Sequence, residues 1–304
     1  ADQPHRAGGL MSMRITQRMM VEHSLFSLQE GLGRLSESQE RLSTGRLINR
    51  PSDSPTGTNE AMRLRAQISS GSQYVRNSQD GLSWLGTTDQ TLTSMLDVVR
   101  RARGLIVQGL STGSNGPDAR TALGVELGQL RSSVLALANT QHLGRPIFGG
   151  ATAGGTAYDS SGAFVGDQSA VNRTIDDGET VAVNVTGPAA FASGATNLFT
   201  VVGDAATQVV ADPTALNGTL QTLDDITEQM TSALADVGAR YARVQGTIDR
   251  LQGTAIDQHA ALSNVENVDI AKAVVDLKLQ EVAYQGSLGA TARVLQPSLL
   301  DFLR

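Results

Sequence analysis

Both ends of the chain carry the same narrow apolar stripe, and that stripe limits the possible folds more than any other feature. Between Ile15 and Ile48 the residues Leu25, Leu28, Leu32, Leu35 and Leu42 recur at alternating spacings of three and four, with polar Gln39 in the one missing slot. Two apolar positions in seven make the seam by which one helix lies along another. Glu30, Arg34, Glu37, Glu40 and Arg41 fill the remaining face. At the other end Ile270, Val274, Leu277, Tyr284, Leu288 and Leu295 lead into Leu299, Leu300 and Phe302. Neither helix can bury its own seam, and a helix in water draws most of its stability from packing. The simplest partner for one seam is the other, as an antiparallel pair in which the chain ends meet. A two-helix pair still leaves much of each helix exposed. The ends are therefore expected to be disordered in a lone copy or to pack against neighbouring copies, which describes an assembling protein.

The segments between the seams read as further helices and an insert. Pro51 stops the first helix, and Ser54-Pro55 has the N-cap and first-turn chemistry that opens the next. A second helix is expected over about 56–110, with Leu82, Leu85, Leu92, Leu96, Val99, Ile106 and Leu110 in its seam. Asp89 and Arg103 fall in seam slots, so burial there should be incomplete or paired. Gly109 to Asp118 forms a turn, and a third helix carries Leu123, Leu127, Leu130, Val134 and Leu137. From about 147 to 212 the helical period is lost. Arg173-Thr174-Ile175 and Glu179 to Val185 flank Asp177-Gly178, which is a hairpin pattern. Phe164-Val165 and Leu198 to Val202 read as further strands. From Leu223 a long regular helix runs through Met230, Leu234, Val237, Tyr241, Val244, Ile248, Leu251, Ala255, Gln258, Leu262 and Val265. A break follows between Asn264 and Asp269, with Asp269 as a cap.

The fold expected is mainly α: long antiparallel coiled-coil helices from both termini, a helical bundle and a small β-rich inserted domain. Residues 1–12 are read as a disordered leader. Residues 13–55 and 265–304 make the terminal assembly domain, 56–150 and 213–264 the bundle, and 151–212 the insert. Aromatic content of 4% against 40% hydrophobic residues suggests a core of Leu, Val, Ile and Ala rather than rings.

Several function classes are disfavoured. A net charge of -6, with Lys272 and Lys278 as the only lysines and no basic block, argues against nucleic-acid binding. The chain has no cysteine, so thiolate chemistry and disulfides are excluded. No run approaches the length of apolar sequence that spans a membrane, and Ala1 to Gly9 lacks the pattern of a cleaved signal peptide. His5, His23, His142 and His259 are scattered, so no metal site is expected. Asp176-Asp177 and Asp224-Asp225 suit turns and helix caps better than acid–base work, because adjacent side chains point apart. Gly149 to Gly155 is followed by no Gly-Lys-Ser/Thr, so a flexible linker is favoured over a phosphate loop. The sequons at Asn172, Asn184 and Asn217 are of a kind common by chance. No catalytic residue, cofactor or metal is expected, and the chain is read as not an enzyme.

Five blocks resemble the flagellar hook-associated protein 3 family, within the wider flagellin family. They are Met13 to Thr16, Arg41 to Pro55, Arg76 to Asp89, Phe148-Gly149-Gly150, and Ser287 to Arg293 followed by Ser298 to Leu303. The match covers about residues 13–150 and 215–304, and the insert only loosely. Asn49 to Asp53 and the Leu-Leu-Asp-Phe-Leu ending look more like the junction family than flagellin. The resemblance implies an extracellular part of the bacterial flagellum, exported by the flagellar type III apparatus without a cleaved signal peptide. It implies self-assembly, with hook-associated protein 1 on the hook side, flagellin on the filament side and an export chaperone beforehand. The alternatives are a flagellin filament subunit and, further off, a soluble coiled-coil signalling adaptor. The assembly residues expected are Leu25, Leu28, Leu32, Leu35, Leu42, Ile270, Val274, Leu277, Tyr284, Leu288, Leu295, Leu299, Leu300 and Phe302.

Overall fold

A computed structural model describes the backbone of residues 8–111 and 116–302, and side chains over 19–111 and 116–293. The chain is dominated by long helices. In order they are α1 (Gly8–Thr44), α2 (Pro55–Leu110), α3 (Pro117–Ala138), α4 (Gly187–Phe191), α5 (Leu198–Ala211), α6 (Leu216–Glu266) and α7 (Ile270–Phe302). Between α3 and α4 lie two antiparallel two-stranded sheets, β1 (Gln141–His142) with β2 (Arg145–Pro146) and β3 (Asn172–Asp176) with β4 (Glu179–Ala182). The architecture is mainly helical, with a small strand-containing insert. α1 begins at Gly8, inside the stretch read as a leader, because Leu10, Met11 and Met13 are good helix formers with no proline after Pro4 to stop them. Residues 1–7 lie outside the described part.

The chain divides into two compact units, one of Ala1–Ile68 with Asp257–Arg304 and the other Ser69–Ile256. The second unit holds one continuous hydrophobic core. α2 contributes Trp84, Leu85, Leu92, Met95, Leu96, Val99 and Ile106, α3 contributes Leu123, Leu127 and Val134, and α6 contributes Leu223, Met230, Val237 and Val244. At the position of Asp89, the neighbouring Thr88 is buried instead, its hydroxyl satisfied by the Trp84 carbonyl at 3.0 Å, and Asp89 is exposed. Arg103 is paired, as its slot required, in a two-pronged contact with Asp224 at 2.7 and 3.0 Å.

The insert shares that core rather than building its own. β3 and β4 form the hairpin expected at Asp177-Gly178, with Gly178 at a φ of +70°. Ile175 and Val181 point inward, while arginines hold the outer surface: Arg173 with Asp80, Arg243 with Glu179 and Arg250 with Asp176, each at 2.7 Å. Arg240 donates to the carbonyls of Ala182 and Asn184 at 3.2 and 3.1 Å. Phe164-Val165, expected as a strand, forms an isolated bridge between Phe164 and Tyr158 in place of a ladder.

Leu198 to Val202, read as a strand, is instead the start of α5. Asn197 decides this: its side-chain oxygen accepts the Thr200 N–H at 2.8 Å and caps the helix. Leu198, Val201, Val202, Ala205 and Val209 then fall on one buried helical face against α3. The approach is close, since a β-carbon on Gly124 would stand 2.8 Å from the Ala206 carbonyl oxygen. The aliphatic reading of the core suits the helices but not the insert. There Phe148 meets Phe191 at 4.8 Å between ring centroids, and Tyr158 meets Phe199 at 4.6 Å. A low aromatic total conceals that these rings are concentrated in one place.

Asn197 also donates to the Gly162 carbonyl at 3.1 Å from a buried position. Asn197→Ala removes the cap and strands that carbonyl, and is expected to cost about 2 kcal/mol. A shift in the denaturant midpoint of the full chain, followed through Trp84 fluorescence, measures it.

Candidate assembly surface

The first unit is built around two chain breaks held side by side. Gly45, at a φ of +68°, ends α1, and the loop between α1 and α2 meets the loop between α6 and α7. Leu47 N–H donates to the Glu266 carbonyl at 2.6 Å, and Val268 N–H donates to the Gly45 carbonyl at 3.0 Å. The Asp53 carboxylate accepts the N–H groups of Arg50 at 2.8 Å and Asn49 at 3.0 Å. Those two hydrogen bonds hold its pKa below the usual carboxylate range. Ser54 Oγ accepts the Gly57 N–H at 3.2 Å and caps α2, and Gly57 is close enough to Ile48 that a β-carbon would fall 2.6 Å from its methyl. Arg65 pairs with the nearly buried Glu266 at 2.8 Å. Asp269 caps α7 by accepting the Lys272 N–H at 3.2 Å.

From this joint α1 and α7 run antiparallel along each other. On α1 the half-buried face is Val21, Ser24, Leu28, Gly31, Leu35, Ser38 and Leu42, again at spacings of three and four. On α7 it comprises Ala273, Leu277, Gln280, Tyr284 and Thr291, and Tyr284 lies across Gly31. Small residues therefore alternate with leucines in the contact. Leu28, Leu35, Leu42, Leu277 and Tyr284 are in it. Leu25 and Leu32 on α1 stay 50% and 52% exposed, and Ile270, Val274 and Leu288 on α7 are exposed as well. The side chains of Leu295, Leu299, Leu300 and Phe302 lie outside the described residues.

A second apolar stripe escaped the sequence reading. Val275, Leu279 and Val282 are all exposed on α7, Val282 at 67%, and their spacing of four and three continues to Gly286. Val275 is two residues, about 200° of helix, before Leu277, so the stripe lies on the back of the helix. Its periodicity was visible, but the stronger front pattern masked it. On α1, Met19, Met20 and Phe26 are exposed as well. Among the described residues of this unit only Ala61, Leu64, Ala273 and Glu266 are buried, which is no core by the standard of the second unit.

The residues considered for chemistry do not converge. No group of three or more His, Asp or Glu that could hold a metal exists among the described residues, and none of the described helices is long and apolar enough to cross a membrane. His142 packs edge-on against Trp84 at 5.5 Å, and His5 lies outside the described part. Asp176 and Asp224 have their pKa values lowered, first by the hydrogen bonds from Arg250 and Arg103 respectively, as in structural ion pairs.

Comparison with known proteins agrees with this layout. The family described as the bacterial flagellin N-terminal helical region matches residues 15–152, and the bacterial flagellin C-terminal helical region matches 220–303. The chain is 28% identical to the flagellar filament 33 kDa core protein of Treponema phagedenis, over 94% of this chain and 100% of that one. It is 24% identical to flagellar hook-associated protein 3 of Salmonella typhimurium, over 90% and 95%. Its fold is similar to the crystal structure of flagellar hook-associated protein 3 from Legionella pneumophila, with a TM-score of 0.61 at 15% identity, covering 67% of this chain and 98% of that one.

Asp53→Ala is expected to lower hydrogen-exchange protection at the Asn49 and Arg50 amides at neutral pH. In the unaltered chain the same loss should appear only in acid. A carboxylate whose folded pKa is lowered stabilises above its ordinary value and fails as pH falls through the folded one.

Proposed function

The chain belongs to the bacterial flagellin family, and on that premise we propose that it is the hook–filament junction subunit, assembled by packing its terminal helices against those of neighbouring copies. It is a structural protein of the flagellum. One observation carries the assembly reading: the contact between α1 and α7 half-buries Leu28, Leu35, Leu42, Leu277 and Tyr284 among small residues, and leaves Leu25, Leu32, Ile270, Val274, Leu288 and the Val275–Leu279–Val282 stripe to water. A half-exposed Leu or Ile retains on the order of 1 kcal/mol that fuller burial would release. A neighbouring copy offers apolar helical surface of the same kind, so the stripes on both terminal helices are the interface in this proposal.

The junction role rests on Asn49 to Asp53 and the Leu299 to Leu303 ending, both of the junction type. The first of these is also the segment that Asp53 organises. In this role hook-associated protein 1 stands on the hook side and flagellin on the filament side. An export chaperone covers the apolar C-terminal helix until the type III apparatus passes the chain out of the cell, with no signal peptide cleaved. The second reading is a filament subunit, favoured by the end-to-end similarity to a filament core protein.

A strain lacking the gene separates the two. The junction role predicts bare hooks with unassembled flagellin shed into the medium, and the purified chain forming no long filaments; filaments grown from the chain alone would establish the second reading. Leu32→Asp and Val282→Asp change residues already exposed in a lone copy. Each should leave stability within about 0.5 kcal/mol of the parent, yet block incorporation in a motility assay. Normal swimming with either would remove that face from the interface. In dilute solution, limited proteolysis should cut within 1–68 and 257–304 while Ser69–Ile256 resists.

A further inference from the structure

The chain has no cysteine, so its thioethers are the only oxidisable sulfur. The five methionines with described side chains fall into two sharply different environments, and those of Met11 and Met13 lie outside the described residues. Met95 and Met230 are fully enclosed in the core of the second unit, at 0% exposure. Met19, Met20 and Met62 are 65%, 56% and 62% exposed, and all three belong to the first unit, where apolar surface lacks cover. Met19 and Met20 are adjacent on α1, so they point about 100° apart and span a broad arc of the helix. Met19 also lies seven residues before exposed Phe26, on the same side.

We propose that Met19, Met20 and Met62 are oxidation sites at which hydrogen peroxide abolishes assembly, while the fold of the second unit is untouched. The inference rests on the assembly reading above. A lone pair on Sδ attacks one peroxide oxygen, the S–O bond forms as the O–O bond breaks, and the departing hydroxide takes the transferred proton and leaves as water. Sulfur loses two electrons and peroxide gains them. The sulfoxide that results is polar and strongly hydrated where the thioether was apolar and adaptable. A surface that must shed its water to meet a neighbour then keeps it. Once neighbours cover α1, the Met19 and Met20 sulfurs are shielded, so the unassembled subunit is the vulnerable form.

The test uses the full chain, mild hydrogen peroxide, and hooks sheared from a strain lacking the gene, with co-sedimentation as the readout and peptide mass spectrometry to locate oxygen. The result expected is sulfoxide at Met19, Met20 and Met62 with Met95 and Met230 intact, and at least a tenfold loss of hook binding. Methionine sulfoxide reductase should restore binding, and the triple variant Met19→Leu, Met20→Leu, Met62→Leu should bind equally well before and after peroxide. Treated protein that binds as well as untreated, oxidation of Met95 and Met230 at the same rate, or a triple variant inactivated like the parent would each overturn the inference and leave the assembly reading standing. Failure of the untreated chain to bind would overturn both.

Discussion

The contact between α1 and α7 alternates leucines with small residues, and the exposure of the remaining apolar surface of both helices depends on that narrow face. Ser24, Gly31 and Ser38 let the helices approach, and Ala273 and Tyr284 complete the fit. Such a contact yields little apolar burial for its length. α1 alone, at 37 residues, is about 55 Å long. What gives direction to the pair is the joint at its base, where Gly45, Leu47, Glu266 and Val268 exchange backbone hydrogen bonds and Asp53 gathers the turn. The helices are aimed by hydrogen bonds at one end and left apolar along their length.

The second unit follows the opposite economy. Its helices enclose one continuous apolar core, its aromatic rings are gathered under the insert, and arginines on one face of α6 clasp the hairpin. That core, with more than a dozen side chains at or near zero exposure, is what holds its shape. The first unit has no such core, since its buried apolar residues among those described are Ala61, Leu64 and Ala273. One polypeptide thus combines a finished domain with an unfinished one.

Much of this was legible in the residues. Spacings of three and four found each long helix, although α1 and α6 both begin seven residues before the expected Ile15 and Leu223, and Asp177-Gly178 located the hairpin. The terminal seam was only half legible. Leu28 and Leu35 face α7 as expected, but Leu25 and Leu32 do not, because a wide apolar arc fits two neighbouring faces and periodicity does not choose between them. The choice is made by Gly31 and Ser38, small residues that hydrophobicity patterns score as gaps. The misread of Leu198 to Val202 has a similar root. Five apolar or β-branched residues suit a strand or a buried helix equally, and the deciding signal was the preceding Asn197. The back stripe of α7 needed no structure to find, only attention to a second period on a helix already assigned one.

Gly31 beneath the ring of Tyr284 has a further consequence. A β-carbon there would stand 3.5 Å from the ring, an ordinary packing distance, so alanine fits this position and a longer side chain does not. The two helices can thus tolerate one added methyl at that level without parting, and the aromatic ring acts as a lid whose clearance is a single carbon.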